Sequence, residues 1–403
     1  MNKGLKILLT VLALMLIVVP TIFGFMLLHS SKGAFNDSFS KSNERQSNLR
    51  DAPVKVASDP VTILFLGIDD SSSRRENGQS TEQSRTDAMI LTTLNPETKN
   101  IRLLSIPRDT LSYIPEVGYF DKITHAHAYG GPQASMDALE STLNVPVDYY
   151  IRINMEAFVK TVDELGGIEY DVPYDIDEPN TTDQGRIKIK KGKQLLNGDQ
   201  ALAITRTRKQ DSDLKRGERQ MEVLKLLFKK AQDTQSLRKL DDIIEIVGKN
   251  ANHNLSYKEV RSLATTYLTG NTAIKSQQLK GENEILNGLY YILPDEVELV
   301  KTSNLLRKDL GLAPNKDDDF LMNRVISLYG GIPPLTNIDQ SLIDEAFQSS
   351  KNEETSSDEE NQEFEQNETP LYDQVEPDPY ATQDPYADPS AADGTQFDPN
   401  TYY

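Results

Sequence analysis

The 403-residue chain contains no cysteine and only 4 histidines. Without cysteine there is no disulfide, no zinc–thiolate site and no thiol nucleophile, a composition that suits an exported protein without requiring export. His125 and His127 stand in Thr-His-Ala-His, two positions apart and without a third ligand nearby in sequence, and read as polar packing. No G-x-x-x-x-G-K-[ST] or G-x-S-x-G run occurs, so P-loop and serine-hydrolase chemistry have no support. Gly130-Gly131 reads as a turn before a helix, not as a phosphate loop. Basic side chains are the minority, 43 against 62 acidic ones, for a net charge of −19. Phosphate affinity in nucleic-acid binders comes from Lys and Arg, which argues against a nucleic-acid partner. The deficit is local: residues 352–403 carry 15 Asp or Glu and not one Lys or Arg. The rest of the chain is only weakly acidic.

Among what is present, the run from Ile7 to Leu28 comes first, with 22 positions and no charge. At roughly 1.5 Å per residue it would cross the ~30 Å hydrocarbon layer. Lys3 and Lys6 precede it and favour a cytoplasmic N-terminus. A cleaved signal peptide is the alternative, but the run exceeds the usual apolar length and no A-x-A-like site follows. The expected organisation is a cytoplasmic end (1–6), a transmembrane signal-anchor (7–28), a polar linker (29–59), a domain outside the cytoplasm (60–346) and an acidic tail (352–403). The tail is rich in Glu, Asp, Gln, Ser and Pro, repeats Asp-Pro-Tyr-Ala at 378–381 and 384–387, and is expected to be disordered.

Within the domain, helical and strand periodicities alternate, which predicts an α/β fold: an α-β-α sandwich on a mixed central sheet. Residues 61–69 form a nearly continuous apolar run, as in a central strand buried on both faces. Residues 88–94 and 101–106 flank Asn-Pro-Glu-Thr-Lys-Asn and predict a hairpin. Met136, Leu139 and Leu143 share a helical face, as do Phe158, Val162 and Leu165 before Gly166-Gly167. Short strands are expected at 148–153, 168–172 and 201–207. A long helix is expected over 215–231, and mostly helix over 236–268.

Charges break this pattern at four places. In Leu202-Ala-Ile-Thr-Arg-Thr-Arg208, a strand would put Leu202, Ile204, Arg206 and Arg208 on one face. On the following helix, Arg216 and Gln220 share a face with Leu224 and Leu227. Pairing Leu94 with Ile101 in the hairpin sets Asp87 opposite Arg108. Asp69 ends the first central strand just after Gly67, at the sheet end where open α/β folds bind ligands. Arginines outnumber carboxylates in this set, and buried cations require anions. Several forked guanidiniums beside two hard oxygen ligands suit a diphosphate with Mg²⁺. Structural ion pairing is the competing reading.

The runs Gly67-Ile-Asp69, Arg85-Thr-Asp-Ala-Met89, Leu104-Ser-Ile-Pro-Arg-Asp-Thr110, Ala128-Tyr-Gly-Gly131, Asp148-Tyr-Tyr150, Asn197-Gly-Asp-Gln-Ala201, Thr205-Arg-Thr-Arg208 and Arg216-Gly-Glu-Arg-Gln220 resemble the LytR-CpsA-Psr family. The likeness is strong over 60–235 and weaker over a helical remainder to about 340. It implies a domain that binds a polyprenyl diphosphate in an apolar channel between sheet and helices. It also implies transfer of a glycopolymer phosphate (teichoic acid, capsule or similar) to a peptidoglycan hydroxyl. The setting it implies is a Gram-positive-type envelope, with a single-pass anchor in the cell membrane and the main domain extracellular. By motif position Asp69 and Asp87 would hold Mg²⁺, and Arg85, Arg108, Arg206, Arg208, Arg216 and Gln220 the diphosphate. The catalytic set would be Asp87, Arg108 and Asp109, with either Asp87 or Asp109 as the base. Arg219 is an alternative to Arg216, which helical spacing favours. Hydrolysis at the same site, or non-enzymatic binding of wall polyanions by an envelope regulator, are the competing functions.

Because no candidate site residue falls in the acidic tail, a chain ending at Lys351 should keep the parent thermal midpoint and rate of polymer transfer. Loss of transfer with the midpoint unchanged contradicts this expectation.

Overall fold

The structure, a computed structural model, describes residues 46–68, 84–180, 185–207, 213–233, 251–268, 270–315 and 320. The expected anchor (7–28), Asp69, Arg208 and the acidic tail (352–403) lie outside the described residues. Among those described, no helix is long and apolar enough to cross a membrane.

The first half contains β1 (Val61–Ile68), β2 (Thr86–Asn95), β3 (Asn100–Ser105), β4 (Leu111–Ile114), β5 (Tyr119–Lys122), a 3₁₀ turn (Ile123–His125), α1 (Ala126–Leu143), β6 (Tyr149–Ile153) and α2 (Met155–Glu164). Next come β7 (Ile168–Val172), β8 (Ile176–Pro179), β9 (Arg186–Ile189), β10 (Gly192–Leu196), α3 (Gly198–Arg206) and α4 (Asp213–Ala231). The remainder holds β11 (Ala251–His253), α5 (Tyr257–Tyr267), β12 (Ala273–Gln278), β13 (Gly281–Leu286), β14 (Leu289–Pro294) and α6 (Glu296–Asp309).

The central sheet runs β11-β6-β1-β2-β3-β12. It is mixed: β1 pairs antiparallel with β2 and parallel with β6, and β12 is parallel to β3. Alternation along β1 sends Leu64 and Leu66 into a core with Met136, Leu139 and Leu143 of α1 and Leu299 and Leu306 of α6. Val61 and Ile63 face the other way, toward Met221 of α4 and Tyr267 of α5. Helices therefore cover both faces, and the apolar run of β1 follows from being buried on both sides.

The hairpin register is the one expected, with Leu94 opposite Ile101 and Asn95 opposite Asn100. The expected strand 168–172 is β7, and the long helix is α4. Gly131 adopts φ +67 and ψ −154 and splits α1 just before Pro132, which opens the longer part of the helix. Gly217 lets α4 settle against the sheet: a Cβ there would stand 2.7 Å from Ser105 Oγ and 2.5 Å from Gln278 Nε2. Residues 46–59, within the segment expected to be linker, already pack on the domain. Arg50 pairs with the buried Asp148 at 2.7 Å, and the same carboxylate oxygen accepts from Thr62 N at 2.9 Å.

Two expectations are overturned. Residues 201–207 are not a strand. Residues 201–206 belong to α3, which Asn197 and Gln200 start with a capping box and Thr207 ends. Ala201 to Thr205 are all buried, so a period of two carries no information about which face is which. The remainder expected to be helical to about 340 is not uniformly so. Within 236–268 the described part is mostly α5, with the short strand β11 before it, but 273–294 supplies β12 to β14, and β11 and β12 extend the central sheet.

His127 ties this frame together as a buried neutral imidazole. Its Nδ1 donates to Ser84 O at 2.7 Å, and Arg152 Nη1 lies 3.4 Å from Nε2. Burial, with Arg152 beside it, pushes its pKa down from 6.5 to about 4, against the opposing hydrogen bond to Ser84. The unfolded chain takes up this proton near 6.5, whereas the folded chain resists until about 4. The resulting stability is complete above the upper value and lost as pH falls to the lower one, on the order of 3 kcal/mol. Thermal midpoints measured across this window should fall with acidity, and more steeply for the parent than for His127→Gln. Equal slopes would remove His127 from the account.

Candidate functional site

A cavity of about 1160 Å³ lies between the sheet and the helices α2, α3 and α4. Its sheet wall is made by Ile63, Phe65, Ile90, Thr92, Leu94 and Ile101; Gln220, Leu224, Leu227 and Phe228 of α4 face it. From Asp87 to Leu94 the floor spans seven positions of β2, roughly 24 Å at ~3.4 Å per residue.

The two ends differ in chemistry. Gly217 abuts Ser105, and Ser105 pairs with Ile90, so the start of α4 lies over the Asp87 end of β2. That end gathers Arg85, Asp87, Arg108, Asp109, Lys122, Arg206, Arg216 and Gln220. Farther along, Leu224, Leu227, Phe228, Leu94, Ile101 and Ile274 leave the lining apolar. The whole lining counts six Lys or Arg against three Asp or Glu, so the site carries excess positive charge.

Each described candidate reaches this cavity. Arg108 follows β3, and its Nη1 lies 3.1 Å from Asp87 Oδ1 while its Nε lies 3.4 Å from Asp109 Oδ2. The loop beneath it is fixed by backbone bonds: Thr124 N donates to Arg108 O at 3.2 Å, Ile123 N to Thr110 O at 2.8 Å and Ile292 N to Asp109 O at 2.8 Å. Arg85 is exposed at the rim. Arg206 comes from the last turn of α3, where a cation is favourable. It lies one turn beyond Leu202, so both face the cavity; the predicted strand was wrong, yet the residue is in place.

On α4, Arg216 is 5% exposed and lines the cavity, and Gln220 donates from Nε2 to Thr205 O at 3.2 Å. Arg219 does different work. Its guanidinium donates to Ile204 O at 3.0 Å and Thr207 O at 2.7 Å, closing the carbonyl end of α3. Of the two arginines, Arg216 is the one that lines the cavity. Asp69 and Arg208 lie outside the described residues.

The sequence reading missed Lys122, whose Nζ lies 2.8 Å from Asp109 Oδ1, and it set aside His125, which lines the cavity. The four-residue spacing from Asp121 to His125 was the available signal.

The donor chemistry fits Mg²⁺. Asp87 is a hard oxygen ligand, its side chain 42% exposed at the cationic end of the cavity. Mg²⁺ commonly takes one or two carboxylates and completes its shell with phosphate oxygens and water, so a full protein cage is not required. Among the described residues no group of three or more His, Cys, Asp or Glu is gathered for a metal.

Known proteins share this architecture. An uncharacterized protein of Staphylococcus aureus (strain NCTC 8325 / PS 47) is 61% identical over 85% of this chain and 85% of its own. The polyisoprenyl-teichoic acid–peptidoglycan teichoic acid transferase TagT of Bacillus subtilis (strain 168) is 35% identical over 77% of this chain and 96% of that protein. Among solved structures, the LytR-CPS2A-psr family protein YwtF (TagT) with bound octaprenyl pyrophosphate lipid matches with a TM-score of 0.54 at 33% identity, covering 68% of this chain and 99% of that one. The LytR_cpsA_psr family model matches residues 25–308, and with the cavity and its charged end this establishes that the chain belongs to the LytR-CpsA-Psr family.

Proposed function

We propose that this protein is a membrane-anchored transferase that moves a glycopolymer, of the teichoic acid or capsule kind, from a polyprenyl diphosphate carrier to peptidoglycan. The observation that carries the reading is one cavity with a cationic end and an apolar bore, the shape and polarity of a lipid diphosphate. The relatives support it: TagT and TagV of Bacillus subtilis (strain 168) are named as teichoic acid transferases, and a solved structure of TagT holds octaprenyl pyrophosphate. In this reading the run 7–28 anchors the chain in the cell membrane with its N-terminus cytoplasmic, and the domain works outside, in a Gram-positive-type envelope.

The lipid chain occupies the bore along β2 and α4. Arg206, Arg216 and Gln220 hold the diphosphate from the helical side; Arg85 and Arg108, and Arg208 by motif position, complete the clamp. Asp87, together with Asp69 by motif position, would hold Mg²⁺. When bound, the ion supplies Lewis-acid neutralisation of phosphate charge. Arg108, fixed between Asp87 and Asp109, is oriented before substrate arrives, so its charge stabilises the developing oxyanion without reorganisation. The acceptor oxygen bonds to the phosphorus bearing the polymer as polyprenyl phosphate departs.

The test is reconstitution of the full chain with a polyprenyl diphosphate-linked glycopolymer, with and without peptidoglycan fragments. Joined product supports transfer. Release without acceptor supports a pyrophosphatase, and binding without turnover supports a regulator. Chelation by EDTA should abolish transfer, with recovery on added Mg²⁺; transfer unaffected by EDTA contradicts the metal assignment. Arg206→Lys keeps the charge but loses the fork. It should slow single-turnover transfer by about 10²–10³-fold with the thermal midpoint little changed. A variant that loses stability yet transfers at the parent rate returns the arginines to structural ion pairing.

A further inference from the structure

Resting on the transfer reading above, we propose that His125, oriented by Asp121, is the general base that takes the proton from the acceptor hydroxyl. The two carboxylates first in line for that task are already engaged. Asp109 is 7% exposed and sits between Lys122 Nζ at 2.8 Å and Arg108 Nε at 3.4 Å, one cation at each oxygen. Asp87 holds Arg108 at 3.1 Å and is the described residue assigned to the metal. Both carboxylates are therefore turned to cations in this structure, not to an acceptor hydroxyl. Glu178, the third acidic residue of the lining, stands on β8, which packs against α3 on the helical side.

His125 lines the same cavity as Asp87, Asp109 and Arg108. Its Nδ1 lies 2.7 Å from Asp121 Oδ2, and the hydroxyl of Tyr129 donates to that same oxygen at 2.7 Å. The other oxygen, Oδ1, accepts from the Lys122 backbone N–H at 2.7 Å and from the Tyr291 hydroxyl at 3.4 Å. Four donors thus converge on one carboxylate and fix it. Although burial raises its pKa, the hydrogen bonds from His125, Tyr129 and Lys122 N outweigh that effect and leave the Asp121 pKa lowered. An ionised carboxylate only accepts, so the Nδ1 of the imidazole carries a proton, and in the neutral ring Nε2 is the nitrogen that holds the lone pair. Among the described residues Nε2 has no hydrogen-bond partner. The ring itself is set edge-on to Tyr129, with centroids 6.5 Å apart and planes at 86°. A carboxylate fixing the tautomer and direction of an imidazole is the arrangement by which histidine activates hydroxyl nucleophiles on unrelated folds.

In the step assigned here, Nε2 takes the proton as the acceptor oxygen forms its bond to the polymer-bearing phosphorus. The bond from that phosphorus to the bridging oxygen breaks, and polyprenyl phosphate leaves with the electron pair. The imidazolium, steadied by Asp121, then returns its proton to water.

The experiment uses the full chain preloaded with polyprenyl diphosphate-linked glycopolymer and measures one turnover on adding peptidoglycan fragments. His125→Gln should lower that rate by about 10²–10⁴-fold while octaprenyl diphosphate binding and thermal midpoint stay at the parent values. His125→Ala should recover part of the rate in proportion to added imidazole, which a structural role would not do. Asp121→Asn should slow the step with donor binding unchanged. Transfer by His125→Gln within threefold of the parent overturns the assignment, as does a loss that tracks weaker donor binding and shows no imidazole rescue. A parent chain that does not transfer at all defeats the reading beneath the assignment, and the two failures are told apart by that control.

Discussion

Guanidinium groups at the end of an apolar cavity set the terms for the rest of this domain. Removing a cation from water costs several kcal/mol unless an anion meets it, and an unfilled apolar bore forfeits packing. The fold brings guanidiniums and an apolar bore together at one place. Arg216 is buried, Arg108 is held between two aspartates, and the lining has twice as many cations as anions. A ligand with a multiply charged head and a long apolar tail matches both at once. Neither half alone does so.

The scaffold around this cavity is built to keep it open. The central sheet supplies a floor whose opposite face is sealed by α1 and α6 through Leu64, Leu66, Leu139, Leu299 and Leu306. The reactive loop at Arg108 and Asp109 is fixed from both sides, by the 3₁₀ turn at Ile123 and Thr124 and by Ile292 of β14. Lys122 and His125 arrive on that same turn and the strand before it, so the groups that orient the loop bring further chemistry to the cavity. Positioning of this kind lowers reorganisation during reaction.

Much of this was legible in the sequence, and the exceptions have physical causes. The β2–β3 register followed from turn chemistry and placed Asp87 beside Arg108 correctly, because a two-residue periodicity fixes faces once one pair is known. The α4 face carrying Arg216, Gln220, Leu224 and Leu227 was readable from helical spacing, but its leucines line a cavity as well as packing on the core. Residues 198–206 misled because every side chain from Ala201 to Thr205 is buried, which erases the amphipathic signal. Arg206 reached the site regardless, since i, i+4 on a helix and i, i+2 on a strand both aligned it with an apolar neighbour. Of the β12 to β14 region, β12 is identifiable only through its distant partner β3, whereas β13 and β14 form a hairpin across Asn287-Gly288, a local turn signal that the expectation of a helical remainder passed over. The role of His125 was hidden because Asp121 supports it from β5, an element the sequence reading did not recognise.

The most direct test of the account is a comparison of affinities in the full chain for octaprenyl diphosphate, inorganic diphosphate and octaprenol, measured by calorimetry with Mg²⁺ present. A charged end and an apolar bore acting on one ligand predict that octaprenyl diphosphate binds at least about 100-fold more tightly than either fragment, a gap of roughly 2.7 kcal/mol. Inorganic diphosphate binding as tightly as the lipid would show that the bore contributes nothing and contradict the account.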